Sequence, residues 1–226
     1  MKLGGAYAFG DGVPLDYPEA AKWYRRAAEQ GVAIAQRLLA EMYSSGEGVT
    51  QDPGEAARWY REAAEQDDGA ASGLLGHMYA VGEGVTKNYS ESLRWFRKAA
   101  ELRDVGGWVG LGLSYRFGWG VPQDSTEASK WYRKAAQTGD KTAQYDLGAL
   151  LTDPKLGVEN YTKGAMWLRK SAEQGDESAQ WHLGLLYQFG KGVPQDYVLA
   201  HMWYNVAAVS PGKDEEAFAE ARDKVG

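Results

Sequence analysis

Ala56-Ala-Arg-Trp-Tyr-Arg-Glu-Ala-Ala64 returns almost unchanged as Ala128-Ser-Lys-Trp-Tyr-Arg-Lys-Ala-Ala136, and its tryptophan recurs at Trp23, Trp59, Trp95, Trp131, Trp167 and Trp203. The interval is 36 residues each time. Sixteen residues before each tryptophan stands Tyr7, Tyr43, Tyr79, Tyr115 or Tyr187, with Leu151 as the single replacement. Self-similarity at a fixed period is the mark of a stacked array, in which each unit buries its apolar face against the next. That period overrides the one or two ordinary domains that 226 residues would otherwise suggest.

Each unit reads as two helices. In the second complete unit Asp68 caps a helix whose apolar Ala70, Leu74, Leu75 and Met78 recur at helical spacing up to Tyr79. Gly82-Glu-Gly84 ends that helix, and Asn88 opens the next, which carries Leu93, Trp95, Phe96, Ala99 and Ala100 on one broad face. Asp140 and Asp176 repeat the first cap; Asp16, Asp52, Asp124, Asn160 and Asp196 repeat the second. Pro18 and Pro53 fall in a first turn, where the missing N–H costs little. The expected fold is therefore all-α, a single solenoid domain over 1–226. It comprises a partial unit 1–30, units 31–66, 67–102, 103–138, 139–174 and 175–210, and a C-terminal capping helix 213–225 rich in charge.

The linking phrase Gly-x-Gly-Val appears at Gly46-Glu-Gly48-Val49 and at four other places. Its glycines permit positive φ in a tight turn. A phosphate loop is a poor reading, because the phrase follows a helix rather than a strand, lacks a third glycine and recurs. Leu151-Thr-Asp-Pro-Lys-Leu-Gly-Val158 breaks the phrase and must take another path, by drift or to shape a partner site.

The net charge of −6 and pI near 5.2 make nucleic acid a poor partner. No apolar run is long enough to span a membrane. No signal peptide precedes the repeat, which begins mid-pattern as a fragment would, and the compartment is left undetermined. Cysteine is absent, which removes disulfides and thiol chemistry. His77, His182 and His201 lie in different units without metal-ligand spacing, and most carboxylates have capping or solvent-facing explanations. No catalytic residue, metal or cofactor is implied.

Together, Ala179, Leu183, Gly184, Tyr187, Gly190, Gly192, Val193, Asp196, Ala200, Trp203, Tyr204, Ala207 and Ala208 form a phrase that resembles the Sel1-like repeat family, relatives of the tetratricopeptide repeats. The resemblance covers nearly the whole chain. It implies a right-handed α/α superhelix acting as a non-enzymatic adaptor or scaffold for proteins. Gly31, Gly139 and Gly175 fit the family's inter-repeat glycine, whereas Asp67 and Arg103 depart from it. Some secreted bacterial members staple each repeat with a disulfide, and a chain without cysteine stands outside that subset.

Recurring residues are assigned to packing: Leu39, Leu75, Leu111, Leu147 and Leu183, the tyrosines, the glycines beside the leucines, and the tryptophans as core or inter-repeat wedges. Glu55, Arg58, Arg61, Glu62 and Glu65 read as a wetted outer face. Recognition is sought where residues do not recur, on a concave surface formed by the first helices. Arg37, His77, Trp108, Arg116, Trp119, Tyr145 and Trp181 are the candidates for binding a protein or peptide, aromatics and arginine being common interface anchors. Their alternative role is partial burial at the seam between helices, and Trp119, inside a Gly-Trp-Gly turn, is expected at an exposed tip. Two other functions stay open: a structural spacer self-associating through its terminal repeats, and a small-molecule or cell-wall glycan binder.

Overall fold

The structure, a computed structural model, describes residues 2–209. Among the described residues lie α1 (Lys2–Phe9), α2 (Tyr17–Ala28), α3 (Ala33–Ser45), α4 (Pro53–Glu65), α5 (Gly69–Val81), α6 (Tyr89–Glu101), α7 (Val105–Phe117), α8 (Ser125–Ala136), α9 (Lys141–Thr152), α10 (Tyr161–Glu173), α11 (Glu177–Phe189) and α12 (Tyr197–Val209). This is an all-α repeat solenoid of paired helices, odd-numbered helices coming first in each pair. The chain divides into two compact units, Met1–Gln123 and Asp124–Gly226, so α1–α7 belong to one and α8–α12 to the other. The capping helix expected at 213–225 lies outside the described residues.

Side chains fix the helix starts. Asp16, Asp52, Asn88, Asp124, Asn160 and Asp196 each accept a backbone N–H of the first turn that follows. Asp68, Asp104, Asp140 and Asp176 do the same for α5, α7, α9 and α11. Each such cap contributes about 1 kcal/mol.

Within a pair, the residue after the tryptophan closes the interface. Tyr24, Tyr60, Phe96, Tyr132, Leu168 and Tyr204 are all buried. Phe96, Tyr204 and Leu168 lie on the glycine that follows the buried leucine of the first helix: a Cβ added at Gly76 would stand 2.7 Å from the Phe96 ring, at Gly184 2.6 Å from Tyr204, and at Gly148 2.6 Å from Leu168. Burial raises the pKa of the Tyr204 hydroxyl to about 12, so it stays a neutral phenol in the packing layer.

Three devices join one pair to the next. The guanidiniums of Arg25, Arg61 and Arg169 donate to the hydroxyls of Tyr43, Tyr79 and Tyr187, eighteen residues on. Arg61 is thus part of the framework rather than of a merely wetted face. The buried Gln36 donates to the carbonyl of Ala28, at the end of the preceding pair, and accepts from Gln66 at 2.7 Å; Gln144 repeats both bonds with Ala136 and Gln174. The third device is the second glycine of Gly-x-Gly. Gly48, Gly84 and Gly192 have φ of 72°, 66° and 72°, and a Cβ there would fall 2.3, 2.1 and 2.2 Å from backbone atoms of Tyr17, Pro53 and Tyr161.

The tryptophan series sits on the outer side of this packing. Trp59 and Trp95 are buried, and Trp23, Trp131, Trp167 and Trp203 are half-buried. A basic group covers five of the rings, as Arg58 does at 4.0 Å and Arg94 at 4.1 Å from the ring centroids. The irregular loop takes a different path, as expected. Asp153 ends α9 in an extended conformation and accepts the Lys155 N–H, while Asn160 still donates to the Leu151 carbonyl at 2.8 Å. Helix spacing is kept although the turn is rebuilt.

Asp67 and Arg103 keep the left-handed backbone of the glycines they replace, with φ of 64° and 62°. That conformation costs a side-chain-bearing residue about 1–2 kcal/mol, partly offset because glycine loses more backbone freedom on folding. Arg103→Gly should therefore stabilise the protein by about 0.5–1 kcal/mol, read as a higher midpoint in thermal unfolding.

Candidate functional site

A groove between the first helices α5 and α7 has a volume of about 410 Å³. Its floor is the ring of Phe96, and Leu74, His77, Val109 and Leu113 form its walls. The space exists because side chains are missing: Gly73, Gly106 and Gly110 line it. In α3, α9 and α11 the Gly73 place is filled by Arg37, Tyr145 and Trp181, and the Gly110 place by Leu38, Asp146 and His182. A Cβ at Gly110 would lie 2.2 Å from Phe96, so this glycine also admits the ring. Asp104 borders the groove while capping α7 through the Gly107 N–H at 3.1 Å.

The expected binding residues fall into different settings. His77 is exposed on the groove wall. Arg37 lies at the seam, donating to Glu41 at 2.6 Å and to Asp68 of the next pair at 3.2 Å. Burial opposes its charge, and the two carboxylates outweigh that penalty. Tyr145 and Trp181 are half-buried and pack against the core of their unit, Tyr145 meeting His182 edge-on at 6.5 Å. Trp108 is half-buried in the register of Gln36 and Gln144, the places that tie one pair to the preceding helix.

Trp119 is not an exposed tip. It stacks on Tyr89 at 5.3 Å and 8° and on Phe117 at 5.3 Å and 26°. Lys87 and Arg116 cover the outer rings at 4.9 and 5.1 Å, making a closed column of cations and aromatics. The middle residue of Gly-x-Gly reaches the first residue of the preceding second helix, and Lys191 does likewise over Tyr161 at 5.5 Å. Flat aromatic surface at Trp119 is consumed by its neighbours.

His182 is enclosed in the second unit. Its Nε2 lies 3.1 Å from the Thr152 hydroxyl, beside a small cavity of about 200 Å³ that Leu185, Phe189 and Lys191 also line. Burial lowers its pKa, with Asp153 opposing weakly. Among the described residues no three His, Cys, Asp or Glu come together as a metal site, and no helix is long and apolar enough to cross a membrane.

The groove and the inter-pair ties were not among the sequence expectations. The arginine two residues after five of the six repeat tryptophans, at Arg25, Arg61, Arg97, Arg133 and Arg169, was a usable signal for the ties. The run Val105-Gly-Gly-Trp-Val-Gly-Leu-Gly112 was the corresponding signal for missing side chains.

A family model described as Sel1 repeat matches residues 1–32, 33–68, 70–104, 109–140, 141–176 and 177–208. Among solved structures, the chain is similar to c5321, a protective antigen of uropathogenic Escherichia coli strains displaying an SLR fold, with 35% identity and a TM-score of 0.81 over 99% of this chain. The alignment covers 47% of that protein, so this chain spans about half its length. A Sel1 repeat protein from Oxalobacter formigenes is 36% identical with a TM-score of 0.81, over 91% of this chain and 84% of that one. Immunity protein Pa5087 from Pseudomonas aeruginosa shares the fold at 23% identity and a TM-score of 0.55, over 99% of this chain and 80% of its own. No curated protein matches.

The enclosed imidazole makes stability depend on pH. Because its folded pKa is depressed, the unfolded chain binds more protons below the ordinary histidine range. Its contribution is complete above that range and is lost as pH falls. Unfolding by denaturant should show lower stability at pH 5.5 than at 7.5, and His182→Leu, the residue at Leu38 and Leu74, should reduce that difference.

Proposed function

The chain belongs to the Sel1 repeat family of non-enzymatic protein-interaction scaffolds, and from that membership we propose that it holds a protein segment along its first-helix face. The anchor is a large apolar side chain of the partner, seated in the α5–α7 groove. The observation that carries this reading is the groove itself: apolar walls, a ring for its floor, and room of about 410 Å³. Recognition pockets are concave, mostly apolar and marked by a few placed polar groups. His77 and Asp104 are such groups here.

Tyr145 and Trp181 occupy, within the second unit, the register that Gly73 leaves open in α5. They pack half-buried against the core of that unit, so they offer contact area there rather than a second anchor pocket. Arg37, already committed to Glu41 and Asp68, sets the charge of the seam. The closed column around Trp119 argues against a glycan platform there, since stacking on sugar needs an uncovered ring face.

A displayed random-peptide library selected on the intact protein should enrich segments with a large apolar residue. Leu74 is 40% exposed on the wall, so Leu74→Arg can block the groove with little effect on folding. Enriched peptides should lose at least about tenfold in affinity for Leu74→Arg, and keep it for Lys22→Glu on a second helix, consistent with loss of one buried anchor. Equal binding to Leu74→Arg, with its circular dichroism unchanged, contradicts the assignment.

A further inference from the structure

A second groove opens between the first helices α1 and α3, with a volume of about 350 Å³. Its floor is the ring of Tyr24, and Leu38 and Met42 form the apolar wall on α3. Phe9 stands at the rim, 82% exposed. That exposure belongs to the place and not to the neighbours: Ser45, Val81, Phe117 and Phe189 hold the same register with a helix pair before them, and all are exposed.

Two carboxylates, Glu41 and Glu47, also line this groove, and no lysine or arginine does. Arg37 donates to Oε1 of Glu41, and Glu47 is exposed in its loop. Burial and, after it, the charge of Glu41 raise the pKa of the Tyr24 hydroxyl, so the floor is a neutral phenol beside an anion. Charge here is a property of the individual unit. In the register-equivalent cavity of the second unit, Leu185 and Lys191 stand where Glu41 and Glu47 stand in the first.

The ring of Tyr17, which opens α2 and borders the groove, identifies the charge that is missing. Tyr89 and Tyr161 open α6 and α10 in the same way, and each lies under a lysine of the protein itself, Lys87 at 4.9 Å and Lys191 at 5.5 Å from the ring centroid. At Tyr17 those two places hold Leu15 and Glu47. Neither can supply a cation, and one supplies an anion instead. A cation brought from outside would meet a ring that attracts it and two carboxylates.

We propose that the α1–α3 groove is the seat of a basic side chain, lysine or arginine, of the segment held on the first-helix face. This rests on the reading that the face holds a protein segment, and it adds the class of a second anchor. Such side chains join an apolar stem to a charged head. The stem lies along Leu38 and Met42 above Tyr24, and the head reaches Tyr17 between Glu41 and Glu47. The α5–α7 groove, with its walls of Leu74, Val109 and Leu113, takes the apolar anchor. One face thus reads two chemically different residues of the same segment.

Peptides selected on the intact protein should carry a lysine or arginine besides the large apolar residue. Replacing that base by methionine should weaken binding at least about fivefold, the scale of one desolvated cation on a ring. Glu47→Lys gives the loop the side chain that Lys191 already places there in another repeat, so the fold accepts it. On this variant affinity should fall by a similar factor, and the change of base to methionine should have no further effect. Selected peptides without a base, or peptides that lose affinity on Leu74→Arg yet bind Glu47→Lys as tightly as the parent, overturn this site and leave the apolar anchor standing. A second measurement needs no partner segment. In NMR titrations Nα-acetyl-lysine methylamide should shift the Phe9 and Tyr17 ring resonances at least about twofold further than Nα-acetyl-norleucine methylamide, a difference that Glu47→Lys removes. Equal shifts with the two probes overturn the proposal whatever the peptides do.

Discussion

Backbone meets backbone at the second glycine of four of the five Gly-x-Gly loops, Gly48, Gly84, Gly120 and Gly192, and the joining of successive pairs depends on that contact. At Gly48, Gly84 and Gly192 a side chain is excluded twice, by a left-handed φ and by backbone atoms of the preceding second helix within 2.1–2.3 Å. Side chains can swing aside; a helix start held by its own cap cannot do so cheaply. The caps at Asp16, Asp52 and Asn160 fix the helix starts on which these glycines sit. The Arg–Tyr and Gln–Gln bonds then set the separation of neighbouring pairs farther along the helices.

This division of labour explains what the sequence made legible. Period, helix pairing, capping residues and the buried leucines follow from spacing and from the local chemistry of Asp, Asn and Gly. The assignment of Gly-x-Gly to turn geometry was incomplete, because one chain shows that a glycine recurs but not what lies against it. Gly12 makes the difference plain: it has the same motif and a φ of 73°, yet a Cβ there would meet nothing within 4 Å. Trp119 misled for a related reason. Its flanking glycines suggested exposure, while its stacking partners, Tyr89 and Phe117, lie thirty residues before it and two before it. The groove was hidden because it is made of absences at Gly73, Gly106 and Gly110, visible only when α5 and α7 are set side by side.

Freedom to bind arises where these joining devices make no demand. Position 73 and its equivalents carry Gly, Val109, Tyr145, Trp181 or Arg37, and the scaffold accepts all of them. The outer flank of the second helices is similarly unconstrained, from the ion pairs of α2 to the methionine of α12. Family membership describes the first kind of constraint and leaves these two surfaces to the individual chain.

Glycine-to-alanine substitutions at Gly84, Gly12 and Gly157 separate close approach from backbone strain. All three have φ between 66° and 73°, but a Cβ at Gly12 or Gly157 would meet nothing within 4 Å. In denaturant unfolding, Gly12→Ala and Gly157→Ala should each lose about 1–2 kcal/mol. Gly84→Ala should lose at least about 2 kcal/mol more, as overpacking against backbone requires. Equal losses at the three positions would contradict the claim that this glycine contact joins one helix pair to the next.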